Sequence, residues 1–227
     1  MAVSTTPRGA LAAVLITLGL QAVFWSQTRH IQAGWEGVPP APSYQVAKAL
    51  ALGDGEFLYR SATFVLQNMG DEGNRVTPLK DYDYQRLGHW FSLLDQFNPK
   101  SEYLPVLVGY YFSQSQNPDD VRIVISFLAH IAIRDPDRNW RWMAHAIYLA
   151  RHRVKDMNLA LALAYQMAAM KSPEIPVWAQ QMPAFVLADV GEKEAARDLM
   201  EAILDSERDL DPDERDFMQD FLDNRLK

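Results

Sequence analysis

Four prolines punctuate this chain at nearly equal steps, and they constrain its architecture more than any other feature. Pro99, Pro136, Pro173 and Pro212 stand 37, 37 and 39 residues apart. Each follows a polar or acidic residue at the end of an apolar run, and each precedes a new helical pattern, as in "IRDPDRNW" at 133–140. Proline suits such a joint because it biases the preceding residue away from helix and has no N–H to lose in a first turn. An aromatic residue comes four or five positions later: Tyr103, Trp140, Trp178 and Phe217.

The segments between the breaks share an internal frame. A small residue lies six positions after the aromatic (Gly109, Ala146, Ala184) and a large apolar residue nine after it (Phe112, Leu149, Leu187). The run before Pro99 fits the same frame with Phe57, Thr63 and Leu66. A small side chain lets two helix backbones approach, and the large one fills the adjacent groove. From Ser43 onward apolar residues recur at three- and four-residue steps, with no strand alternation, so an all-α body is expected. A period of 34–40 residues built from two helices is a solenoid pattern.

On these residues the chain resembles the tetratricopeptide repeat superfamily, over about residues 54–227. Thr63, Gly109, Ala146 and Ala184 match the family's small position, and Leu66, Phe112, Leu149 and Leu187 its bulky one. The fourth unit is the closest, with a glycine turn at Gly191 and then Ala195 and Ala196. The units are longer than the family's usual length, and Val121 and Asn158 stand where small residues are expected in second helices. The resemblance implies an α-solenoid of about four two-helix units with a groove for protein partners. Its groove candidates are Gln67, Asn68, Tyr103, Tyr110, Gln114, Trp140, Arg151, Trp178 and Asp189. The aromatic stripe also has a plain reading as core, because a repeated aromatic at a helix start is commonly buried.

Residues 9–28, "GALAAVLITLGLQAVFWSQT", are uncharged and bounded by Arg8 and Arg29. As a helix they reach about 30 Å, roughly one hydrocarbon core. A cleaved signal peptide is the rival reading, but Phe24 and Trp25 occupy positions where cleavage wants small residues. An uncleaved anchor is expected, preceded by a tail of residues 1–8 and followed by a Pro-rich spacer at 29–43, with a helical body at 44–227. The short tail ahead of the anchor favours a body on the periplasmic side of a bacterial inner membrane, although Arg8 and Arg29 barely discriminate orientation.

Charge excludes other classes. Residues 192–227 hold 13 acidic and 6 basic residues, which accounts for the whole net charge of −7. A neutral body with an acidic end is not a nucleic-acid binder. The chain has no cysteine, which excludes disulfides and thiolate chemistry. No nucleotide, hydrolase or metalloprotease motif occurs, and His145 and His152, seven apart, lack a third ligand at metal spacing. "GDGEF" at 53–57 and "DLDPDE" at 209–214 read as helix starts rather than calcium loops. The basic run at 134–155 closes a helix or faces an anionic surface, such as the acidic end of a second copy.

One interval breaks the period. Phe57 to Tyr103 is 46 residues, and the surplus falls in "MGDEGNRVTPLKDYDY" at 69–84. A cap closing the first unit is the expected role. Asp81, Asp83 and His89 beside it are the residues an enzyme of unfamiliar type would use. The sequence therefore predicts a non-enzymatic, membrane-tethered scaffold or assembly factor, without cofactor or metal. A permanent accessory subunit of a membrane complex, packing through Ala12, Ala13 and Gly19, is the alternative.

Overall fold

The computed structural model describes residues 8–29, 37–72, 75–206 and 210–226. The chain divides into two compact units between Glu36 and Gly37, each described by itself.

The first unit is helix α1, Arg8–Thr28. Its apolar stretch Gly9–Thr28 is long and apolar enough to cross a bilayer, and none of it is buried against protein. Its hydroxyls are bonded to the helix itself: Thr17 donates to the Ala13 carbonyl (2.9 Å) and Thr28 to that of Phe24 (2.8 Å). Back-bonding of this kind leaves those groups satisfied in an apolar medium. The tail at 1–7 lies outside the described residues, as does the spacer at 30–36.

The second unit is helical. Helix α2 spans Tyr44–Leu50, α3 Gly55–Asn68, α4 Tyr84–Phe97, and α5 Tyr103–Val106. Helix α6 runs Pro118–Arg134, α7 Pro136–Leu149, α8 Met157–Ala169, α9 Trp178–Asp189, α10 Lys193–Ser206 and α11 Pro212–Asp220. Three of them are prolonged by wider π-type turns, at Leu107–Tyr111, Ala150–Val154 and Phe221–Arg225. The extended pieces among the described residues are two residues long: Asp71–Glu72 pairs antiparallel with Arg75–Val76.

The punctuation works as its chemistry requires. Pro118, Pro136 and Pro212 occupy first-turn positions. Asp54, Asp83, Asp156 and Asp211 cap α3, α4, α8 and α11 by accepting backbone N–H bonds, so "GDGEF" and the described part of "DLDPDE", Leu210 to Glu214, are helix starts. At the joint in "IRDPDRNW", Asp135 alone separates α6 from α7, and the buried Asn139 amide donates to the Ile131 carbonyl (3.2 Å). Pro99 and Pro173 lie in the connections before α5 and α9.

Packing follows chain order: α3 on α4, α4 on α6, α6 on α7, α7 on α8, α8 on α9 and α9 on α10. The main core joins Tyr59, Phe91, Phe112, Leu128, Met143 and Ile147, and a second cluster centres on Met200, Met218 and Phe221. Helix α9 serves both, with Ala179 and Val186 in the first and Ala184 and Leu187 in the second. The small positions Thr63, Ala146 and Ala184 are wholly buried, and Leu66, Phe112, Leu149 and Leu187 fill the core beside them. Full burial of each such large side chain contributes about 1.5–3 kcal/mol.

The spacer reading needs correction. Val38 is completely buried, with its carbonyl accepting from Arg86 (2.9 Å), and the Trp90 indole donates to the Pro39 carbonyl (2.8 Å). The second half of the Pro-rich stretch is therefore clamped to α4. Extended backbone exposes its carbonyls, and these two long polar side chains take them up.

Candidate functional site

Helices α3, α7 and α9, and α5 with the turns that prolong it to Gln114, carry the repeated small and large positions on their buried sides. Their outward sides are joined to one another at one-period spacing. The Tyr103 hydroxyl donates to the Gln67 side chain, linking α5 to α3 across 36 residues. His145 Nε2 meets the Gly109 carbonyl at 2.8 Å, again 36 residues apart. Arg151 pairs with Asp189 across 38, and the Trp178 N–H donates to Glu214 (3.0 Å) across 36. Close approach explains the His145 contact: a Cβ on Gly109 would come 2.9 Å from the Trp142 ring.

Along this surface the aromatic rings stay open to solvent. Phe57, Phe64, Tyr110, Tyr148 and Phe217 are all exposed. Tyr110 leans on His145 (4.9 Å between ring centres), His145 stacks on Tyr148 (5.9 Å), and Tyr148 meets His152 (4.9 Å). The two histidines thus belong to a ring ladder. Among the described residues, no group of three or more His, Asp or Glu is close enough to hold a metal ion.

Two clefts flank the ladder. One, of about 860 Å³, lies between α3 and the start of α5, lined by Phe57, Phe64, Tyr103, Arg60 and Lys100. At its edge Arg60 and Asn98 donate to the Glu56 carboxylate, and the Arg60 bond above all holds that group below its ordinary range. The other, of about 460 Å³, lies at the far end and is lined by Arg151, Asp189, Phe185, Phe217, Phe221 and Arg225.

Of the sequence candidates, Gln67, Asn68 and Tyr103 gather at the first cleft's end of the face, Tyr110 and Gln114 in the middle, and Arg151 and Asp189 at the second cleft. Trp140 is withdrawn from the face. It is 7% exposed and packs edge-on against the half-buried Trp178, with ring centres 5.5 Å apart. The Trp178 ring on one side and the Arg141 guanidinium over its face cover it. The sequence reading did not place Phe64, Tyr148 or Phe185 on this face, and it weighed His145 only as a metal ligand. Tyr148 follows Tyr110 by 38 residues, so the period that found the first could have found the second.

The other sequence features settle into structural roles. In the basic run, Arg134 pairs with Asp95, Arg138 donates to the Lys100 carbonyl (2.6 Å), Arg153 to that of Ser115 (3.1 Å), and Arg141 lies over the Trp140 ring. In the long connection, the Tyr82 hydroxyl bonds the Met69 carbonyl, and Tyr84 donates to the Phe112 carbonyl (2.7 Å). The described part of this segment therefore packs onto the main core through Met69, Tyr82 and Tyr84. Asp83 caps α4 and pairs with Arg86 (3.1 Å), Asp81 ends a 3₁₀ turn, and His89 borders a separate hollow between α4 and α6. Comparison with protein-family models, with curated proteins and with solved structures finds no match to this chain.

Proposed function

We propose that this chain is a membrane-tethered protein-interaction scaffold, an assembly factor for a membrane or envelope complex, without catalytic activity of its own. In this reading α3/α4, α5/α6, α7/α8 and α9/α10 are four tetratricopeptide-like units of a solenoid, closed by α11. Helix α1 anchors the chain, with the body on the periplasmic side of a bacterial inner membrane. The observation that carries the reading is the outward face of α3, α5, α7 and α9. It presents exposed aromatic rings, amides and one arginine–aspartate pair between two clefts. Aromatic and arginine side chains are enriched at protein interfaces, and amides both donate and accept hydrogen bonds to a partner. A membrane-associated protein is the expected partner, because tethering raises the local concentration of such partners.

Site-specific photo-crosslinking in the full-length protein tests this. A crosslinker at Gln67, Tyr110 or Gln114 is expected to give a defined adduct. The same group at Gln85, Ser92 or Ser126, on α4 and α6, is expected to give none. Equal adducts on both sets, or none on either, refute the face. A partner recovered at fixed ratio with crosslinks confined to α1 would instead establish the accessory-subunit reading.

A further inference from the structure

The turn after α2 is built in an unusual way. The Gly53 N–H bonds the Lys48 carbonyl (3.0 Å) and the Leu52 N–H that of Ala49 (3.0 Å), the pattern that closes a helix through one left-handed residue. Glycine normally takes that left-handed place. Here Leu52 takes it, with φ of 52°, and Gly53 beside it is left-handed as well, with φ of 84°. A branched side chain at positive φ is strained. The strain earns no packing in return, since Leu52 is 96% exposed. Leu50 and Val46, one turn apart on α2, are 70% and 51% exposed, while Ala47 and Ala51 hold the inner side against the body. Three aliphatic side chains therefore form one unpartnered edge, with Lys48 beside them on the same short helix.

Chain connectivity bears on what this edge can meet. Arg86 and Trp90 hold the chain to the body at Val38 and Pro39. Nine peptide steps separate Arg29 from Val38. Chain length alone limits that stretch to roughly 30 Å. Past the clamp, Tyr44 stacks on Phe97 (4.6 Å) at the far end of α4, fixing α2 a few turns from the clamp. That length of chain lets α2, which follows the clamp directly in sequence, reach the surface of a bilayer crossed by α1.

We propose that Val46, Leu50 and Leu52 insert into the interfacial layer of the bilayer, so that the body is held against the membrane and not merely leashed to it. The occupant is lipid: aliphatic groups enter the headgroup–acyl boundary while Lys48 stays among anionic headgroups. The inference rests on reading α1 as the anchor.

The chain has no cysteine, so single cysteines can carry a polarity-sensitive fluorophore. Full-length protein is reconstituted into phosphatidylethanolamine–phosphatidylglycerol vesicles with headgroup-depth nitroxide lipids, with labels at Leu15→Cys, Leu50→Cys, Leu52→Cys and Asp198→Cys. Blue-shifted emission and several-fold stronger quenching at positions 50 and 52 than at exposed Asp198 are expected. Quenching at 15 without 50 and 52 overturns the inserted edge and leaves the anchor standing. Quenching nowhere overturns both, and equal quenching at 198 overturns an edge-specific contact. A second variant separates lipid contact from structure: Leu52→Gly is expected to raise the thermal midpoint in detergent while weakening quenching at position 50. A lowered midpoint would mean that Leu52 serves the fold, against the proposal.

Discussion

Replacing Arg134 with alanine is expected to cost more than replacing Asp95, its partner. Arg134 closes α6 and Asp95 lies near the end of α4, 39 residues earlier, joined by two bonds, one of them 3.0 Å between Nη2 and Oδ1. The two side chains differ in exposure: 9% for Asp95 and 35% for Arg134. Stranding one member of a fully buried pair costs about 3–5 kcal/mol. With the guanidinium a third exposed, screening reduces this to about 2–3 kcal/mol for Arg134→Ala. Asp95→Ala leaves a cation whose long stem can carry its head into water, so about 1–2 kcal/mol is expected there. The double replacement Arg134→Met with Asp95→Leu should recover most of the loss, because neither charge then remains unpaired.

Urea unfolding of the full chain in mild detergent, followed by far-ultraviolet circular dichroism, measures these differences as midpoint shifts at constant slope. The reasoning fails if Asp95→Ala costs as much as Arg134→Ala. It also fails if the double variant is no better than the worse single one.

Three further outcomes follow from named residues. Lys155 is exposed and left-handed, with φ of 59°, at the end of the α7 extension; Lys155→Gly should relieve about 1–2 kcal/mol of strain against about 0.5–1 kcal/mol of added chain entropy, a net gain seen as a higher thermal midpoint. Burial, partly opposed by the Ser115 hydroxyl, holds the Asp120 carboxyl above its usual range. With the folded pKa above the unfolded one, ionisation penalises the native state at neutral pH, and the penalty fades as pH falls through the folded value. The stability of Asp120→Asn relative to the parent should therefore be greatest near neutral pH and decline in acid; a constant difference would contradict it. Ala146 is wholly buried, so Ala146→Leu should cost about 1–3 kcal/mol by overpacking, against less than about 0.5 kcal/mol for Leu at exposed Ala169 in thermal melts.

Most of the helix plan was legible because its signals are local. Pro136 and Pro212 mark first turns, Asp54 and Asp211 mark caps, and the pairs Ala146 with Leu149 and Ala184 with Leu187 mark buried faces within three residues of each other. What was not legible depends on distant partners. Phe57 and Trp140 occupy the same place in the repeat frame, yet Phe57 is 64% exposed and Trp140 is 7% exposed and packed against Trp178. The clamp on Val38 and Pro39 comes from residues 48 and 51 positions away, and no periodicity in the Pro-rich stretch announces it. The clefts are likewise hidden, because each joins side chains from helices far apart in the chain. The wide turns at Leu107–Tyr111 and Ala150–Val154 carry no compositional mark at all.

Apolar packing alone would leave the order of these helices under-determined. Small and large residues recur in the same frame, so one helix could slide past its neighbour by a turn and still bury similar area. Directional bonds remove that freedom. Gln67–Tyr103, Gly109–His145, Asp95–Arg134, Ser115–Arg153 and Arg151–Asp189 all join side chains or carbonyls 36 to 39 residues apart. Each is satisfied in one register only. Three of these contacts, Gln67–Tyr103, Gly109–His145 and Arg151–Asp189, lie on the face proposed to receive a partner, so the groups that set the register also set the spacing of the recognition surface. The Arg134→Met/Asp95→Leu variant tests the division of labour, since it keeps burial and deletes one register bond away from that face. It should remain folded and retain crosslinking at Tyr110; loss of the crosslink with unchanged stability would show that register is fixed jointly along the stack and not bond by bond.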